Sequence, residues 1–204
     1  KRTSTSLEIH QQVFLDLIAM LFHTNHPVLP GYVDKETPAG IQQYTPSKDT
    51  LKKIKSISKG FRYQSTQKKC ENIEAIFVMG SIGTIGQSRS SDLDFWICHD
   101  PDLTHIQLTS LKKKCDNISQ WSQSLGLDVV FFPMNAVEFK DGKTSALSEE
   151  SSGSTQHKLL LDEFYRTAIH IAGRMPLWWF VDPNHENFYT EYASQLIDKR
   201  FIAE

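Results

Sequence analysis

A mixed β-sheet flanked by helices is the fold class this sequence predicts, an α/β (α+β) arrangement in one domain. Three observations carry that expectation. Two apolar runs, Ala75–Met79 and Leu93–Cys98, bracket a Gly/Ser-rich turn and read as a strand–turn–strand unit. Further apolar runs, at 127–132 and 177–181, alternate with stretches of helical periodicity. The chain has 204 residues, enough for one sizeable core, and no internal repeat.

Each element follows in order. Residues 7–23 predict an amphipathic helix with Phe14, Leu17, Ile18 and Leu21 on one face. Its polar face has no Lys or Arg, so the stripe is expected in the core and not on a membrane surface. Residues 24–46 hold four prolines and two glycines and read as an extended loop. Lys48–Lys59 is a short basic helix whose Lys52, Lys53 and Lys55 form a solvated face. The strand–turn–strand unit comes next. Asp100-Pro101 offers an N-cap and a first-turn proline, opening a helix with Leu103, Ile106, Leu111, Ile118 and Trp121 as its buried stripe and Gly126 as its stop. After the strand at 127–132, residues 135–153 are polar and read as a loop. Ser154 or Thr155 caps a helix expected to run to Gly173. Pro176 precedes a strand at Leu177–Val181, and Asp182-Pro183 turns into a last helix. Residues 1–60 are thus expected to pack as a helical segment and loop on a core formed by 61–204.

Composition narrows the partners. Net charge is −2 and the isoelectric point about 6.5, so no broad basic surface points to nucleic acid. No apolar run approaches 18 residues, and Lys1–Ser6 lacks the apolar stretch of a signal peptide. The expectation is a cytoplasmic chain without a membrane span. Cys70, Cys98 and Cys115 are odd in number and unclustered, so they read as reduced, mostly buried thiols and not as zinc ligands.

The turn of the strand–turn–strand unit carries the chemistry. The first strand ends in Gly80-Ser81, residues 82–91 follow, and Asp92 and Asp94 then stand at spacing two. Side chains alternate along a strand, so the two carboxylates point to one side. At roughly 4–5 Å and an effective dielectric of about 20 their repulsion is on the order of 3–4 kcal/mol. A cation relieves it, and hard oxygen ligands favour Mg²⁺ or Mn²⁺. Gly80 permits close backbone approach to a ligand, and the amides after it, with the Ser81 hydroxyl, suit phosphate. A phosphate nest beside a metal site suggests a metal–nucleotide triphosphate. The tract is no P-loop, since no Lys-Ser/Thr follows its glycines, and Gly80-x-x-Gly83-x-x-Gly86 has the wrong spacing for a dinucleotide fingerprint. The bland alternative is a glycine-rich turn followed by a solvated Asp-Leu-Asp at the start of a strand.

Two-metal phosphoryl chemistry asks for a third carboxylate. Asp128, the lone acid of Leu127–Phe132, is the candidate, against an acid merely at the exposed first position of a strand. A helix start at Ser154-Thr155 is a second candidate for an anion site, against an ordinary cap over a packed helix. Arg166 suits bidentate phosphate binding, and its alternative is an i, i+4 ion pair with Asp162. Trp178 and Trp179 are able to stack a base, with core packing as their expected role.

Met79-Gly80-Ser81, Gln87-Ser88, Ser90-Ser91-Asp92-Leu93-Asp94 and Trp96-Ile97-Cys98-His99 resemble the catalytic domain of the bacterial class I adenylate cyclases, within the nucleotidyltransferase superfold of the DNA polymerase beta type. So do His26-Pro27, Pro30-Gly31-Tyr32, Gly40-Ile41, Tyr44-Thr45-Pro46, Gly153-Ser154-Thr155-Gln156-His157 and Leu161–Ala168. The resemblance covers roughly residues 10 to 180. Gly83 stands where the family often has serine, and Arg89 is an unexpected charge in the loop. The resemblance implies a nucleotidyltransferase-like mixed sheet and conversion of ATP to 3′,5′-cyclic AMP and pyrophosphate. It implies metal ligation by Asp92, Asp94 and Asp128, and nucleotide contacts from Gly80, Ser81, Ser91, Ser154, Thr155, His157 and Arg166. It also implies a C-terminal regulatory part beyond this sequence. Transfer of AMP to an external acceptor, or a nucleotide sensor with a retired site, are the readings it competes with.

Overall fold

Among the described residues four strands, β1 (Ile73–Met79), β2 (Leu93–His99), β3 (Val129–Asn135) and β4 (Ile169–Gly173), form one mixed sheet in the order β3-β2-β1-β4. The computed structural model describes residues 9–63, 71–79, 93–140 and 162–198. β1 pairs antiparallel with β2 and with β4, and β2 pairs parallel with β3. The two apolar runs read from the sequence are β1 and β2, each slightly longer than expected. β3 is an edge of this order and carries Pro133 near its middle, opposite Ile97.

Alternation gives the sheet two faces. Ile76, Val78, Phe95, Ile97 and Val129 enter one core with α1 (Ile9–His23), α2 (Lys48–Ile57) and α3 (His105–Ser124). In α1 the expected stripe is realised: Phe14, Leu17, Ile18 and Leu21 are buried. Phe14 meets Phe95 and Trp121, and Phe22 meets Phe131, at ring-centroid separations of 5.5–6.1 Å. The fully buried among them, Phe14, Phe22 and Phe95, each contribute roughly 1.5–3 kcal/mol. Lys53 lies between Asp16 of α1 and Asp49 of α2, 2.7 Å from each, so one lysine of the basic helix joins two helices while Lys52 and Lys55 stay exposed.

On the other face Ala75, Phe77, Met79, Trp96 and Met134 pack with Phe139 of α4 (Ala136–Lys140) and Phe164 of α5 (162–167). Two 3₁₀ turns, Leu177–Phe180 and Pro183–Phe188, then lead into α6 (Tyr189–Asp198). No helix among the described residues is long and apolar enough to cross a membrane.

The structure corrects several expected boundaries. α3 starts at Thr104, not at Asp100. The Thr104 hydroxyl and the Gln107 side chain make a reciprocal capping box, whereas the Asp100 carboxylate accepts from the Asp102 amide in a tight turn. Ile106 therefore lies off the buried stripe, 74% exposed. Gly126, at φ +75°, does end the helix as expected. Residues 136–140 are helical where a loop was expected. The helix expected to reach Gly173 ends by 167, and residues 169–173 are β4. Pairing with β1 overrides local continuity there. Gly173 has φ +90°, and a Cβ on it would sit 2.2 Å from the Glu74 carbonyl oxygen. Leu177–Val181 is not a strand: Pro176 leads into a 3₁₀ turn that lays Trp179 edge-on against Phe77 at 6.3 Å.

Residues 24–46 form the expected loop, a chain of turns with a bridge at Ile41. They pack on α3 through Gly31 (φ +90°), where a Cβ would fall 2.7 Å from Ile118, and through the Ser110 hydroxyl, which donates to Asp34. Lys114 of α3 is 1% exposed. Its amine points at the Thr24 and Pro38 carbonyls, 3.3 and 3.5 Å away, and lies 5.7 Å from the Phe22 ring centroid. Cys115 is buried, and Cys98 is partly exposed as a residue with its thiol buried; burial pushes both thiols up, Cys98 to about 12. Cys70 lies outside the described residues.

Candidate active site at one end of the sheet

The site is built from the strand–turn–strand unit outward. β1 ends at Met79, whose register partner on β2 is Asp94. Gly80-Ser81 thus begins one residue from the strand position facing Asp94. Asp94 itself is half-buried between Leu93 and Phe95, which face the helical core, so its carboxylate lies on the opposite face, that of Trp96.

Asp128 comes to the same place by another route. It precedes β3, and its carbonyl oxygen accepts from the Leu93 amide at 3.0 Å. Leu127 and Val129 both face the helical core, so Asp128, between them, faces the side of Asp94. Val130 is the register partner of Asp94, and Asp128 stands two positions before it. From strand spacing and rise, the two Cα atoms are roughly 8 Å apart, within reach of a shared cation for two carboxylate arms. Asp128 is exposed and outside the strand, at the exposed strand start that the sequence allowed as its alternative. Exposure at the mouth of the sheet is compatible with a ligand site. A hard divalent cation suits this donor set of carboxylate oxygens. Asp92, Gly80, Ser81, Ser91, Ser154, Thr155 and His157 lie outside the described residues.

Arg166 is on the surface of α5, with Nε 2.9 Å from the Asp162 carboxylate. Both side chains are more than half exposed, so the pair is worth little and a phosphate can compete for the guanidinium. His170 of β4 is half-buried against Phe77, and burial holds its imidazole below the ordinary range. Trp179 is partly exposed beside both rings; the Trp178 side chain lies outside the described residues.

Two groups near the sheet escape a sequence reading. Lys114 reads as one of three consecutive lysines, yet it stands three residues after Leu111 and four before Ile118, on the buried stripe. Spacing was the available signal. The second is the aromatic set around Trp96: Phe139 and Phe164 both pack on its ring, each at 5.2 Å, and nothing local in sequence joins 96 with 139 and 164.

Comparison with known proteins agrees with the motif reading. A family model described as the adenylate cyclase NT domain matches residues 1–179. Adenylate cyclase of Escherichia coli (strain K12) is 39% identical over 188 residues, covering 91% of this chain and 22% of that protein. The Proteus mirabilis adenylate cyclase is 38% identical over 200 residues, covering 93% and 22%. The Yersinia intermedia adenylate cyclase is 37% identical over 189 residues, covering 91% and 22%. The chain spans about a fifth of the length of these curated relatives. A solved structure described as "Crystal structure of the toxin-antitoxin with AMP-PNP" aligns with TM-score 0.30 and 14% identity over 63% of this chain and 77% of that one, a likeness that carries no argument.

Proposed function

The chain belongs to the adenylate cyclase NT domain family, and on that premise we propose that it supplies the catalytic site of an adenylate cyclase, converting ATP to 3′,5′-cyclic AMP and pyrophosphate. The observation that supports this most is the register of Met79 with Asp94, with Asp128 on the same face. It brings the end of β1, which leads into Gly80-Ser81, beside two carboxylates at one end of one sheet.

In this reading Asp92, Asp94 and Asp128 hold Mg²⁺ or Mn²⁺, which neutralises phosphate charge and acidifies the ribose 3′-hydroxyl when bound. Gly80 and Ser81 bind the β- and γ-phosphates through backbone amides and the hydroxyl. Orientation is their contribution: a fixed triphosphate leaves the α-phosphorus in line with the 3′-oxygen, and pyrophosphate departs opposite the attack. Asp128, the more exposed of the two described acids, completes the metal site or takes the hydroxyl proton. Ser91 assists at the carboxylate strand. Ser154, Thr155 and His157 approach the triphosphate from the segment before α5, and Arg166 exchanges Asp162 for phosphate. A regulatory part in a longer parent protein completes the proposal.

Incubation of the protein with ATP and Mg²⁺ or Mn²⁺, without an acceptor, tests it. Cyclic AMP and pyrophosphate in equal amounts are expected, and neither from Asp94→Asn. An intact parent that makes no cyclic AMP but attaches AMP to a protein or small molecule would make this a transferase. ATP binding without either product would make it a sensor.

A further inference from the structure

We infer that α2 is a docking face for an anionic bilayer surface, where unpaired lysines meet lipid phosphates and two neighbouring aliphatic side chains enter the headgroup region. Residues 48–62 hold Lys48, Lys52, Lys53, Lys55, Lys59 and Arg62 against a single acid, Asp49. That stretch is net +5 in a chain of net −2, so the other 189 residues carry −7. The excess of positive charge is concentrated in one short piece of the chain.

The fold decides which of these cations are available. Leu51 and Ile54 of α2 enter the core beside α1, and the opposite side of the helix faces outward. Lys53 takes both nearby carboxylates, Asp16 and Asp49. Lys48, Lys52 and Lys55 stand at i, i+4 and i+7, which is one line along the helix, and all three are exposed. Lys59 and Arg62 follow past the helix end and are exposed too. None of these five makes an ion pair among the described residues. Aliphatic surface adjoins the end of the line. The Ser58 hydroxyl donates to the Val28 carbonyl at 3.0 Å and so brings Val28 beside Ile57. The two side chains are 46% and 43% exposed.

A convex helix face bearing flexible point charges lacks the fork geometry that reads one particular carboxylate or phosphate. It suits a surface of closely spaced phosphates, met through charge density. The aliphatic pair distinguishes a bilayer from a soluble polyanion, because only the bilayer has an acyl boundary to receive it. α1 lacks this combination, having no Lys or Arg at all. α2 also lies on the helical side of the sheet, whereas Asp94 lies on the face of Trp96. A chain docked through α2 keeps its carboxylate face turned to solution.

Co-sedimentation of the intact protein with lipid vesicles tests this. Vesicles of equal parts phosphatidylglycerol and phosphatidylcholine should bind about tenfold or more tightly than phosphatidylcholine alone, and raising salt from about 50 to 500 mM should remove most of the difference. Lys48→Glu/Lys52→Glu/Lys55→Glu should cost about tenfold or more, and Lys112→Glu/Lys113→Glu, on two exposed lysines of α3, less than about threefold. Val28→Ser/Ile57→Ser should cost about threefold with charge unchanged. Equal binding to both kinds of vesicle, or a loss as large in the α3 variant as in the α2 variant, overturns the inference. Poly-L-glutamate bound as tightly as the vesicles at equal charge would assign the face to an acidic protein partner and overturn the bilayer. If the triple reversal does not melt cooperatively, Lys48→Gln/Lys52→Gln/Lys55→Gln is read in its place; a loss of about threefold is expected, and no loss overturns the inference. No nucleotide enters the measurement, so its outcome stands apart from the function proposed above.

Discussion

Met79 and Asp94 are register partners across β1 and β2, so one antiparallel pair joins the strand end that leads into Gly80-Ser81 to the Asp94 carboxylate. In the proposed function Asp94 contributes charge and not shape. Asp94→Asn keeps shape and loses charge, and should abolish cyclic AMP formation while leaving a cooperative thermal melt. Native-like turnover in that variant, or an unfolded one, would remove Asp94 from the site.

Hydroxyls at both ends of the proposed triphosphate site should matter separately. Ser81→Ala is expected to weaken binding of a non-hydrolysable ATP analogue by roughly 1–2 kcal/mol, the scale of a hydrogen bond to a charged group. Ser154→Ala/Thr155→Ala should show a comparable loss by isothermal titration. Unchanged affinity in both would move the triphosphate elsewhere.

Gly173→Ala tests whether β4 belongs to the fold as described. The residue sits at φ +90° with the Glu74 carbonyl where a methyl would go, and backbone cannot step aside as a side-chain tip can. A loss of about 3 kcal/mol or more is expected in urea unfolding. A loss under about 1 kcal/mol would mean that β4 does not lie against β1 in this register.

The buried amine of Lys114 predicts a pH dependence of stability. Burial lowers its pKa from 10.5 to about 8, with the neighbouring Cys115 pulling the other way. Below about pH 8 the amine is charged in the folded and unfolded chains alike, and its burial opposes folding. Between about 8 and 10.5 only the unfolded chain keeps the proton, so stability rises with pH, by an amount on the order of 3 kcal/mol over the whole window. The raised thiols of Cys98 and Cys115 and the phenol of Tyr44, pushed by burial to about 12, act in the opposite sense at the upper end. The difference between wild type and Lys114→Met, followed by urea melts from about pH 7.5 to 9.5, isolates the lysine. The rise should disappear in the variant, and a parallel rise in both would assign it to another group.

Local signals located the first two strands well and the sheet's far edge poorly. β1, β2 and the stripe of α1 were legible because apolar runs and a 3.6-residue period reflect burial directly. The Asp-x-Asp spacing put Asp94 at the start of β2, where the structure has it; Asp92 and Gly80-Ser81 lie outside the described residues. Asp128 was found for its isolation among apolar residues, although it is exposed and one residue short of the strand. β4 was hidden because Ile169–Gly173 follows α5 without a breaker, and only pairing with a strand almost a hundred residues earlier makes it extended. Leu177–Phe180 misled for a related reason: aromatic residues favour strands, but here Trp179 gains more against Phe77 and His170. Thr104 outcompeted Asp100 because it has a glutamine three residues on to complete the cap.

Pro133 has a consequence for life in a crowded solution. Among the described residues β3 lies at the end of the strand order, where unpaired backbone groups can recruit a strand from another molecule. Proline has no amide hydrogen, so a strand laid along β3 from outside would find its ladder broken in the middle. The exposed Val130 on this edge would otherwise invite such an addition. One imino acid thus protects the rim next to the carboxylates from becoming the seed of an aggregate, at no cost to the pairing with β2 that places Asp128.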